Sequence, residues 1–102
     1  MASSVQTGLP VTSVVSTQDL TFNAAGGSSV RSTQLTLRTI RLALGKQANV
    51  RLAIGDVTVT ATAAGFLFVG PGTEFFQIES GQYIAAISDD TTTGTLNVSV
   101  VN

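Results

Sequence analysis

The sequence predicts an all-β protein, an antiparallel β-sandwich of Ig-like or jelly-roll-like type with about eight short strands and no long helix. Short runs of β-branched and apolar residues recur along the chain, each closed by a cluster of Gly, Asn, Asp, Ser or Pro. Several of these runs alternate apolar with hydroxyl or charged residues, as a strand with one buried and one wetted face does. No stretch repeats its apolar residues at the helical period over the length a stable helix needs.

Residues 1 to 10, MASSVQTGLP, have no period and end in proline; they read as a flexible arm whose only large apolar side chains past Met1 are Val5 and Leu9. Residues 11 to 102 then form one domain, since a single core typically occupies about 100 to 150 residues. Val11 to Thr17 and Leu20 to Phe22 are extended and β-branched. Asn23 to Ser29 is a loop around Gly26 and Gly27. No lysine lies near that pair and no helix pattern opens there, so it is not a phosphate cradle.

From Gln34 to Gly45, Leu35 and Leu37 keep one parity while Ile40, Leu42 and Leu44 keep the other. A change of phase inside an extended run marks a bulge or a bend between two strands, here near Arg38 and Thr39. Val50, Leu52 and Ile54 then share a face opposite Asn49, Arg51 and Ala53. Beyond Gly55 and Asp56, the alternation of Val57 to Thr62 predicts another strand. In Phe66 to Val69 the two Phe side chains share a face and are expected in the core.

The last third, Gly72 to Val101, carries three further runs. In the first, Phe76 and Ile78 point inward while Phe75 sits among Gln77 and Glu79, which makes Phe75 a candidate contact residue. Tyr83 to Ile87 is apolar on both faces, as a central strand is. Leu96, Val98 and Val100 form the inward row of the last strand, and Phe76, Ile78, Ile87, Leu96 and Val98 are the expected core of this region.

Only 11% of the residues are charged, against 43% hydrophobic, where an average soluble protein carries roughly 25% charged residues. A surface of hydroxyls, amides and small apolar groups suits either a Thr-rich β-surface or one covered by protein, because Lys and Glu are depleted in interface cores. All five basic residues lie in the first half with Asp19 as its only acid, and the other five acids lie in the second half. Folding either pairs these halves across the sheet or leaves two poles. The net charge of −1 gives no footing for nucleic acid or an anionic membrane. The N-terminal residues lack the basic and apolar regions of a secretion signal, and no apolar run approaches the roughly 18 residues of a span, so a soluble product is expected.

The chain has no histidine and no cysteine. That removes the usual general base, the usual zinc ligands and every Ser–His or Cys–His nucleophile. Asp89 and Asp90 lack the spaced oxygen ligands and distal Glu of a calcium loop. Glu74 and Glu79, five apart, fall on opposite faces of one strand, against a paired-carboxylate site. No catalytic residue, metal or cofactor is expected. Arg38, Arg41 and Arg51 remain as groups able to recognise carboxylates.

The succession NVRLAIG (Asn49 to Gly55), PGTEFFQI (Pro71 to Ile78), GQYIAAIS (Gly81 to Ser88) and TGTLNVSVV (Thr93 to Val101) resembles small structural proteins of tailed bacteriophages. The resemblance covers the last half of the chain. It implies a β-sandwich that decorates or cements a capsid: a virion protein made in the host cytoplasm and seated on the outer capsid surface. The major capsid protein would be its partner, with itself as a homotrimer. Val5, Leu9, Arg38, Arg41, Arg51 and Phe75 are the expected contacts. A head-fibre, head-tail or tail accessory β-module, glycan-binding or not, is the alternative.

Overall fold

The computed structural model describes residues 14–22, 28–36, 38–45, 47–89 and 93–101. Among them are eight strands: β1 (Val14–Phe22), β2 (Val30–Arg31), β3 (Thr39–Leu44), β4 (Asn49–Gly55), β5 (Phe66–Val69), β6 (Gly72–Gln77), β7 (Tyr83–Ser88) and β8 (Gly94–Val101). They form two four-stranded sheets, sheet I in the order β1-β8-β3-β6 and sheet II in the order β2-β7-β4-β5. Every pairing is antiparallel.

The register shows how the chain is folded. In β1–β8, β2–β7 and β3–β6 the partners include Ser16 with Val100, Phe22 with Gly94, Val30 with Ala86, Ile40 with Phe76 and Leu44 with Gly72. In each of these pairs the two residue numbers add to the same total. The connectors keep that total too, with Ser32 N–H bonded to Ile84 O at 2.8 Å and Ile78 N–H to Arg38 O at 2.6 Å. The chain is therefore one long hairpin, folded over so that its first half alternates between the sheets and its second half retraces the same path. The total rises by two only in β4–β5, where Val50 faces Phe68, beyond the cis Gly70–Pro71 bond. Pairing of first strand with eighth, second with seventh, third with sixth and fourth with fifth is the jelly-roll arrangement. An Ig-like sandwich would distribute its strands as ABED and CFG.

The inward rows follow the alternation. Ile40, Leu42 and Leu44 of β3, Val50 and Leu52 of β4, Ile84 and Ala86 of β7, and Leu96, Val98 and Val100 of β8 are buried in one cluster with Leu20, Phe22, Leu35, Phe68 and Ile78. The phase change between Leu35 and Ile40 falls where the chain leaves sheet II for sheet I, so both parities point into the same core from opposite sides. Gly81, the one glycine at positive φ (94°) among the described residues, turns the returning chain at the same crossing. Its N–H reaches Leu35 O at 2.7 Å. Ile87 is not part of this cluster. It has the outward parity of β7, and Ile84 fills the inward place instead.

Val57 to Thr62 is not a strand. The segment from Asp56 to Gly65 leaves the tip of the hairpin and folds back as a strap over the outer face of sheet II. Arg31 Nη1 donates to Val57 O, Ala61 N–H to Ser29 Oγ at 2.9 Å, and Arg51 Nη1 to Gly65 O at 3.0 Å. Arg31 and Arg51 both sit on the outer face, opposite Val30 and Val50, and the Arg31 guanidinium also lies 5.6 Å from the Tyr83 ring centre. Beneath the strap Ala85 is fully buried. The period-two pattern of Val57 to Thr62 thus reports a chain lying on a sheet, with Ala61 buried and Val57 exposed, and not a chain paired into one.

Two predictions test the strap. A Cβ at Gly65 would lie 2.5 Å from Leu52 O, a backbone atom that has no room to give. Gly65→Ala should therefore destabilise the protein by about 1–3 kcal/mol, measured by thermal or urea unfolding; a wild-type midpoint would mean the strap does not press on β4. At its start, Asp56 Oδ1 accepts from Thr58 N–H at 2.8 Å and Thr58 Oγ1 at 2.6 Å. These bonds hold the Asp56 carboxyl below its ordinary value of 3.8. A lowered folded-state pKa gives a contribution that is present above the unfolded value and lost as pH falls through the folded one. Asp56→Ala should accordingly flatten the acid limb of the stability curve and leave the neutral region with the larger loss.

Candidate functional site

The strap makes the two broad faces of the sandwich unequal. The strap crosses part of the outer face of sheet II and leaves Leu67 and Val69 exposed at the β5 margin, whereas the outward face of sheet I, built from the alternate residues of β1, β8, β3 and β6, is exposed at Thr17, Asp19, Thr73 and Phe75 and buried at Ser99 and Val101. Register places Thr17, Ser99, Arg41 and Phe75 in one row across all four strands, with Asp19, Asn97, Ala43 and Thr73 in the next. Arg41 and Asp19 are the charged residues of these two rows.

The middle of the face is tied together by side chains. Asn97 Nδ2 donates to Thr17 Oγ1 at 2.8 Å and to Asp19 Oδ1 at 3.0 Å. Ser99 Oγ donates to Asn97 Oδ1 at 2.8 Å, and Thr17 Oγ1 lies 3.1 Å from Ser99 Oγ. With Thr17 as the donor in that last contact, Thr17, Ser99 and Asn97 close a ring in which each hydroxyl or amide gives one hydrogen and takes one. Arg41 Nη2 adds a long contact to Ser99 Oγ at 3.4 Å, while its Nε is buried without a partner among the described residues. Ser99 donates to an amide oxygen, which takes no proton, so the ring sets geometry and does not activate a nucleophile.

Phe75 stands at the β6 end of the row, 60% exposed, beside Arg41 in the β3–β6 register. Arg38 immediately precedes β3 and is exposed, with its carbonyl engaged by Ile78; its place opposite Ile78 has the parity of Ile40, not that of Arg41. The structure therefore brings Arg41 and Phe75 together on the outer face of sheet I and leaves Arg38 just before β3, outside that row. Arg51 is elsewhere. It lies on the outer face of sheet II, where its Nε meets Asp89 Oδ1 at 2.7 Å and Nη1 holds the strap. That ion pair joins the basic and acidic halves of the chain across β4 and β7, with both side chains about a quarter exposed; such pairs are typically worth about 0.2–1 kcal/mol. Val5 and Leu9 lie outside the described residues.

Next to this face is the margin formed by the two edge strands β5 and β6. Phe68 is in the core as expected, but Phe66 is 51% exposed and packs edge-on against Phe76, ring centres 5.1 Å apart. Leu67 and Val69 are exposed at 38% and 55%. Parity alone puts Phe66 inward; its place on the last strand of the sheet leaves half of it uncovered. The ring of Thr17, Asn97 and Ser99 also escaped sequence reasoning, and the only trace of it is the polar outward row of β8. No protein-family model, curated protein or solved structure matches this chain.

Proposed function

We propose that this chain is a non-catalytic structural module that binds the outer surface of a bacteriophage capsid and stabilises it by bridging neighbouring capsid subunits. The outer face of sheet I is its docking face. The observation that carries the reading is the outward row of sheet I, in which the exposed Phe75 ring stands beside Arg41, with Asp19 as the one other charged residue of the two central rows. Aromatic residues and Arg are enriched, and Lys and Glu depleted, at the centres of protein interfaces. The hydrogen-bonded ring of Thr17, Asn97 and Ser99 keeps the centre of this face rigid, which limits the entropy lost on docking. The capsid as the partner rests on the resemblance of the four runs between Asn49 and Val101 to phage structural proteins.

The experiment is to purify particles, count copies of the chain by quantitative mass spectrometry and locate them by electron cryomicroscopy. The expected result is a fixed number of copies on the outside of the head. Particles without the chain on the head overturn the reading, and copies on a fibre or tail assign it to that structure instead.

A further inference from the structure

The free edge of sheet II points to a second partner. We infer that two copies of this chain pair antiparallel along β5 and join their sheets II across a two-fold axis. This goes beyond the docking of sheet I, uses a different surface and is measurable without any particle.

The backbone defines the register. Gly70 N–H bonds Ala48 O at 2.8 Å, and β5 continues that ladder with Val50 facing Phe68 and Leu52 facing Phe66. Antiparallel ladders alternate, so the N–H and C=O groups of Phe66 and Phe68 turn toward β4 and those of Leu67 and Val69 turn toward the open edge. Among the described residues β5 has no neighbour on that side. Two free positions separated by one residue are self-complementary under a two-fold axis at Phe68. Leu67 of one copy faces Val69 of the other, each such pair exchanges both of its hydrogen bonds, and the exposed Leu67 and Val69 side chains lie together.

Charge selects a second copy as the occupant. From Val57 to Thr73 there is no charged residue, so a two-fold pairing sets no like charges against each other, and the edge offers nothing to attract a charged partner. The other edges differ. β6 carries Glu74, β1 carries Asp19, and β2 is two residues long and contains Arg31. Native edges are commonly guarded by charge, proline or a bulge. Within β5 none of these is present, and only its shortness and Pro71 just beyond it limit the ladder. A closed two-fold contact is the commonest way for identical chains to satisfy such an edge.

The test uses the full chain in solution, with mass measured by light scattering or sedimentation over a range of concentrations. The expected mass at high concentration is twice 10.5 kDa. A charge-swap pair then checks the register: Leu67→Lys with Val69→Lys in one protein, and Leu67→Glu with Val69→Glu in another. Both positions are exposed, so each variant should keep its fold by circular dichroism. Each alone should be monomeric, because like charges then face each other, and the equimolar mixture should form a one-to-one dimer. A wild-type chain that stays monomeric overturns the inference, as does a trimer, and so do variants that still self-associate or a mixture that does not pair.

Discussion

Phe22→Ala should be the most damaging single substitution in this protein, costing about 3–5 kcal/mol of stability. Phe22 ends β1 opposite Gly94 of β8 and is fully buried in the cluster that fills the sandwich. Glycine across from it brings no side chain to close the cavity. A domain of this length holds roughly 5–15 kcal/mol in all, and about 1 kcal/mol moves the midpoint by 4–8 °C, so the loss should lower the melting temperature by on the order of 20 °C. Val57→Ala, on the exposed crest of the strap, is the control and should stay within about 0.5 kcal/mol of wild type. Comparable midpoints for the two variants would show that β1 does not close the core.

Phe75→Ala should have the opposite signature, a large effect on attachment and a small one on stability. Its ring is mostly in solvent, so unfolding should move by no more than about 0.5 kcal/mol. If the face of sheet I docks, truncating its aromatic anchor should weaken binding to particles by about 2 kcal/mol or more, roughly 30-fold. Binding of purified variant to particles stripped of the chain, followed by co-sedimentation, reads this directly. Unchanged attachment would remove the face of sheet I from the interface, whatever the outcome for β5.

These two residues show how much of the molecule is legible in one dimension. Phe75 and Phe76 are neighbours in sequence, and the period of a strand alone says that they face opposite ways, which the structure bears out in one exposed ring and one packed on the core. The inward rows of β3, β4 and β8 follow by the same reasoning. Phe66 and Phe68 show where it stops. They share a parity but not a fate, because one lies at the end of an edge strand and the other does not, and edges are a property of the assembled sheet. Val57 to Thr62 fails for a related reason. An extended chain alternates whether it is hydrogen-bonded into a ladder or laid across one, so period two cannot separate strand from strap. The bonds that decide it come from Arg31, Ser29 and Arg51, between 14 and 32 residues away.

By itself, then, the sequence determined that this is an all-β sandwich, which residues face inward along most strands, and that no histidine or cysteine chemistry is available to it. These are local matters, governed by side-chain period, turn residues and composition. Tertiary structure decided the rest: the jelly-roll order, the strap across part of sheet II, the row of Thr17, Ser99, Arg41 and Phe75, and the open edge of β5. Each depends on pairing between residues far apart in the chain, such as Thr17 with Ser99, 82 residues away. Local preference is silent about such pairs, because their hydrogen bonds and buried contacts exist only once both halves of the long hairpin have met.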